Sequence, residues 1–161
     1  MGCAPLRAAS LRTSPVFSLQ GVKTWGKVVD VYDGDTLTVA VRRPMRTSFR
    51  VRLQGIDTEE IRQPKGAADR EARTARAYQA RDRLIMLTTG VVATGLKGEP
   101  LREALMNARR CVWVEFGEMD KYGRPLATIR ARGVEVNSTL VEEGLALPYD
   151  GGTKQAHPNS I

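Results

Sequence analysis

The chain has 161 residues, enough for one domain with a working core, and its 25 Lys and Arg against 18 Asp and Glu give a formal net charge of +7. A basic balance favours polyanionic partners, either nucleic acid or an anionic membrane surface. Two cysteines, Cys3 and Cys111, make no disulfide framework, and a single histidine, His157, near the C-terminal end, argues against a Ser-His-Asp triad, a Cys-His pair or a His-rich zinc site. If the chain is an enzyme, carboxylates, arginines and tyrosines must carry its chemistry.

Residues 1–24 read as a disordered or targeting tail. Residues 1–29 contain Arg7, Arg12, Lys23 and Lys27, several serines and no acid, a weakly transit-peptide-like composition. Gly2-Cys3 resembles acylated N-termini, although Leu6 breaks the myristoylation pattern. With no secretory h-region and no transmembrane run, an intracellular location is the expectation, with the compartment open.

Strand character begins near Trp25. Val28, Val29, Val31 and Tyr32 lead into Asp33-Gly34-Asp35, after which Leu37, Val39 and Val41 alternate with Thr38 and Ala40, the pattern of a hairpin. In a third strand Phe49, Val51 and Leu53 point one way, and Arg50, Arg52 and Gln54 the other. Gly55 permits a bend. Residues 67–87 are Ala- and Arg-rich without Gly or Pro and predict a helix, with Ala77, Ala80, Leu84 and Leu87 on one stripe and Asp69 placed to pair with Arg73. The stretch 88–100 reads as a loop or insertion, and a shorter helix is expected over 101–108. Val112, Val114 and Phe116 alternate in a fourth strand that places Cys111 in the core. Ala127, Ile129 and Ala131 mark a fifth, after the turn Asp120-Lys121-Tyr122-Gly123-Arg124. A short helix over 137–143 ends at Gly144. Three strands, a helix, two strands and a helix suggest an α+β fold: a five-stranded OB-type Greek-key β-barrel spanning residues 25–150, with an irregular tail over 151–161.

Four constellations could do chemistry. Asp33-Gly34-Asp35-Thr36 places carboxylates on a tight turn, suited to a hard cation or simply to a hairpin. Arg52 to Glu60 offers a guanidinium for bidentate phosphate binding, Asp57 to join Asp35 on a metal, and Glu60 to position or deprotonate water. The alternative is a surface ion pair beside an acidic helix start. Asp120 to Arg124 puts two cations and an aromatic ring on one turn, for phosphate contact or for the turn alone. Five arginines (Arg42, Arg43, Arg46, Arg50, Arg52) with no acid between Thr36 and Ile56, and Arg70, Arg73, Arg76, Arg81 and Arg83 on the helix, could track a phosphate backbone or form a solvated face.

Taken in order, YDGDT at 32–36, RLQGIDTEE at 52–60, DKYGR at 120–124 and VNSTLVEEGLALPY at 136–149 resemble the staphylococcal nuclease family. The resemblance implies an OB-fold barrel that hydrolyses DNA and RNA with one Ca2+ and leaves 3′-phosphate ends. It makes Asp35, Asp57 and the Thr58 carbonyl the metal ligands, with Asp33 nearby, and Glu60 the general base. Arg52 and Arg124 become the phosphate clamp, and Lys121, Tyr122 and Tyr149 nucleic-acid contacts. A nucleic-acid substrate follows from it; a monomer with no obligate protein partner is a separate expectation, with the oligomeric state left open.

Two departures stand out. Glu59 replaces a usual proline and is expected to loosen the turn that aims Glu60. The chain also resembles compact members that lack a C-terminal third helix. Other readings are a catalytically silent nucleic-acid-binding module, an unrelated single-strand-binding OB protein, or a nuclease anchored through Gly2 and Cys3.

Overall fold

The computed structural model describes residues 10, 12–14, 16–42, 46–66 and 69–152. Its elements run β1 (Lys23–Val31), β2 (Thr36–Val41), β3 (Thr47–Leu53), β4 (Ile56–Asp57), α1 (Arg70–Thr89) and α2 (Gly98–Asn107). They continue with β5 (Val112–Met119), β6 (Pro125–Ala131), β7 (Val134–Glu135), α3 (Val136–Glu142) and β8 (Leu147–Pro148). The main sheet runs β3-β2-β1-β5-β6, with β7 at its edge. A parallel pairing of β3 with β6 closes it into a five-stranded mixed barrel carrying three helices, the expected OB fold.

Alternation builds the barrel. Val28, Leu37, Val39, Val51, Leu53, Val114, Phe116, Ala127 and Ile129 are all at most 1% exposed and fill its interior. The facing set on β3, Arg50 and Arg52, is thereby turned outward. Leu84 and Ile85 of α1, Leu105 of α2 and Leu140 of α3 complete one core. Buried Asn137 locks the barrel seam: its amide NH2 donates to the carbonyls of Gln54 and Ala127, and its oxygen accepts from the Ile129 N–H.

Several expectations are corrected. Cys111 is exposed, because β5 starts one residue after it. The fold reaches upstream of residue 25: Leu19 is in the core and the Gly21 N–H donates to the Phe116 carbonyl. The stretch 88–100 is only partly loop. α1 extends through Thr89, Ala93 is buried, and α2 begins at Gly98. The expected Asp69–Arg73 pair gives way to a bond from Arg73 to Glu59, since a buried carboxylate is the stronger partner. No described helix is long and apolar enough to cross a membrane. Cys3, His157 and the tail from residue 153 lie outside the described residues.

Candidate active site

The barrel end where β1 turns into β2 gathers the site. Gly34 stands there for close approach. A Cβ on it would lie 2.6 Å from the Ala80 Cβ and 2.9 Å from Thr58 side-chain atoms, so α1 and the Thr58 segment pack directly on the turn. That contact brings together carboxylates from two distant parts of the chain. Asp35 is 2% and Asp57 7% exposed. Arg52 bridges them, with Nη1 3.0 Å from Asp35 Oδ1 and Nη2 2.5 Å from Asp57 Oδ1. Asp35 also accepts from the Thr36 hydroxyl and from the Thr58 N–H, and Asp33 accepts from the Asp35 N–H.

The cluster has more negative than positive charge. Burial, and then the neighbouring charge of Asp33, push Asp35 up to about 7 despite the Arg52 guanidinium. Asp33 is raised as well, chiefly by its own burial. Burial works against the Arg52 charge, but Asp35 and Asp57 outweigh it and hold the guanidinium above its ordinary value. The carboxylates of Asp33, Asp35 and Asp57 are oxygen donors of the kind a hard divalent cation takes. Among the described residues, no three His, Cys, Asp or Glu side chains form a group that could hold a metal ion by themselves.

Above the cluster runs a groove of about 590 Å³, lined by Arg52, Glu60, Lys121, Tyr122, Arg124 and Tyr149 among others. All nine sequence-predicted site residues therefore converge: six line the groove, and Asp35, Asp57 and Thr58 lie beneath it, joined through Arg52 and Asp35. Arg124 is aimed by Asp120, whose Oδ2 lies 2.8 Å from its Nε, while Asp120 Oδ1 accepts from the Tyr122 and Arg124 N–H groups. Partial burial would raise Asp120, but those N–H donors and the guanidinium hold it below the ordinary carboxylate range. Gly123, at φ 77°, lets the turn close in this way.

Tyr149 arrives through an element that no periodicity announces. The two-residue strands β4 and β8 pair Ile56 with Pro148 and Asp57 with Leu147, and the Tyr149 N–H donates to the Gly55 carbonyl. Its ring then lies 5.8 Å from the Arg52 guanidinium carbon.

Glu59, expected to loosen its turn, is tied to α1. It is 5% exposed, takes Arg73 Nε and Nη2 at 3.0–3.2 Å, and lies 3.4 Å from Arg76 Nη2. The Gln63 amide donates to the Glu60 carbonyl and reaches Glu59. Arg81 is bonded to Asp82 and the Leu96 carbonyl, and Arg83 to Glu143. Most of the α1 arginines expected to follow a phosphate backbone are thus committed within the chain. Sequence reasoning missed the clamping roles of Asp120, Arg73 and Arg76. Only Asp120, inside its own motif, left a local signal.

The profile described as "Staphylococcal nuclease homologue" matches residues 50–160, more than half of the chain. The chain belongs to that family. It is 30% identical over 159 residues to the "Micrococcal nuclease" of Shigella flexneri, covering 91% of this chain and 71% of that protein. It is also 27% identical over 164 residues to "Protein ParB" of Escherichia coli, covering 96% and 73%. As a nuclease-like member of the staphylococcal nuclease family, it carries its candidate chemistry at the end of the barrel where the family resemblance in the sequence is concentrated.

Proposed function

We propose that the protein is a Ca2+-dependent phosphodiesterase that hydrolyses DNA, RNA or both by endonucleolytic cleavage of the P–O5′ bond. One observation carries this reading: Arg52, Arg124 and Glu60 face one groove directly over a buried carboxylate cluster short of positive charge. Asp35, Asp57 and the Thr58 carbonyl would hold one Ca2+, which when bound supplies positive charge to the scissile phosphate.

The chain's own residues supply the rest. Arg124, whose Nε is held by Asp120, offers its Nη donors, and Arg52 its remaining N–H donors, to the non-bridging phosphoryl oxygens, where negative charge grows as water attacks. Asp120 fixes the Arg124 guanidinium, so little reorganisation is needed in the transition state. Glu60 accepts a proton from the attacking water, the new P–O bond forms, and the 5′-oxygen departs and takes a proton from solvent. Lys121, Tyr122 and Tyr149 hold the flanking nucleotide by charge and ring stacking.

The test is digestion of single-stranded DNA, duplex DNA and RNA in Ca2+, in Mg2+ and in EDTA, with end-group analysis. Cleavage that requires Ca2+ and leaves 3′-phosphates is the expected result. Binding without cleavage in any metal would overturn the hydrolytic reading and make the chain a silent binding module.

A further inference from the structure

The groove holds a cation–aromatic pair on each flank of Arg52. On one flank, Lys121 Nζ and the Arg124 guanidinium lie 5.1 and 5.6 Å from the Tyr122 ring centre. On the other, the Arg50 guanidinium lies 4.7 Å from the Tyr32 ring centre. The topology fixes the flanks. Arg52 pairs with Thr36 of β2 on one side and Leu126 of β6 on the other. Tyr32 precedes β2 and its N–H donates to the Thr36 carbonyl, whereas Tyr122 sits in the turn before β6. Both Tyr32 and Arg50 line the groove.

We propose that Tyr32 and Arg50 form a second nucleotide subsite, which takes the base and phosphate on the side of the scissile bond away from Tyr122. This rests on the hydrolytic reading above, and the subsite would take the next nucleotide of an extended strand. Arg50 and Arg52 are two residues apart on one strand and project from the same face, so their Cα atoms lie roughly 7 Å apart. Neighbouring phosphates in an extended single strand have a comparable spacing. Tyr32 is 44% exposed, and its ring is steadied by the guanidinium, which leaves aromatic surface for a base. Neither side chain belongs to the core, so their removal leaves the barrel packing intact.

Arg50→Ala, Tyr32→Ala and Tyr32→Phe separate the two contacts. Anisotropy of a labelled single-stranded oligonucleotide in EDTA reads binding without turnover. Arg50→Ala is expected to weaken binding and to flatten the slope of log K against log salt by about 0.7, the value for one phosphate on a single strand. Tyr32→Ala should weaken binding roughly fivefold or more with the slope unchanged, as loss of one stacked base does, and Tyr32→Phe should restore it. In Ca2+, Arg50→Ala should raise KM for a long single strand more than for a dinucleotide, which lacks the second phosphate. Wild-type slope and affinity in Arg50→Ala and Tyr32→Ala, or equal losses of Arg50→Ala on dinucleotide and long strand, would overturn the subsite. If wild type never cleaves but the Arg50 slope change appears, the subsite stands and the hydrolytic reading falls.

Discussion

Two buried charge clusters lie within a few residues of each other and are built in opposite senses. Around Arg52, three carboxylates (Asp33, Asp35 and Asp57) share one guanidinium, and Asp35 is driven up to about 7. Around Glu59, one carboxylate is held by the guanidinium groups of Arg73 and Arg76. The first is net negative and opens to the groove. The second is closed by its own chain and ties the segment between Thr58 and Glu60 to α1. In the proposed function the chemistry belongs to the uncompensated cluster, and the compensated one holds its neighbours in position.

The largest effects should fall on the groove arginines. Arg52→Ala and Arg124→Ala should each lower the rate roughly 10²- to 10³-fold in single-turnover assays, equivalent to about 3–4 kcal/mol of transition-state stabilisation. A near-wild-type rate in either would remove that arginine from the phosphate clamp. Relative to wild type, Arg52→Ala should lose more stability in urea at alkaline than at mildly acidic pH, since it leaves the carboxylates uncompensated, whereas the difference between Arg124→Ala and wild type should be the same at both.

Next comes the closed cluster. Glu59→Gln leaves Arg73 and Arg76 without their carboxylate and should cost about 2–3 kcal/mol in urea denaturation, less than a fully buried pair because both arginines are partly exposed. Glu59→Pro, the residue usual at this place in similar sequences, should cost at least as much here. A loss below about 0.5 kcal/mol would mean that the clamp acts only as a surface ion pair.

Asp35→Asn should act in the reverse direction. The folded value of about 7 lies above the ordinary 3.8, so the stability that Asp35 contributes is present below 3.8 and lost as pH rises through about 7. The variant should therefore be more stable than wild type in EDTA at alkaline pH, by about 1–2 kcal/mol, while losing activity. Thermal melts at several pH values would show the gain shrinking in acid. Added Ca2+ should erase it by stabilising wild type alone.

The smallest effect belongs to the exposed Arg83–Glu143 pair between α1 and α3. Its hydrogen bonds hold Glu143 below the ordinary carboxylate value. Its contribution is thus present above about 4.5 and lost as pH falls through the lowered value. Arg83→Ala should cost less than about 1 kcal/mol at neutral pH and nothing in acid.

Alternation and turn residues alone mark the five barrel strands and seven of the nine candidate residues; Thr58 and Tyr149 enter only through the family resemblance. Period-2 alternation forces Val51 and Leu53 inward and Arg52 outward, and the Asp33–Asp35 and Asp120–Arg124 turns carry their geometry in local residues. Tertiary structure alone decided what those charges meet. Gly34 lets Ala80 and Thr58 close over the turn, the two-residue β4–β8 ladder brings Tyr149 to Arg52, and Arg73 abandons Asp69, one turn away, for Glu59. The physical reason is range. Side-chain periodicity is set by the local backbone, whereas the energy of a buried charge depends on every group packed around it, and those groups come from segments far apart in the chain.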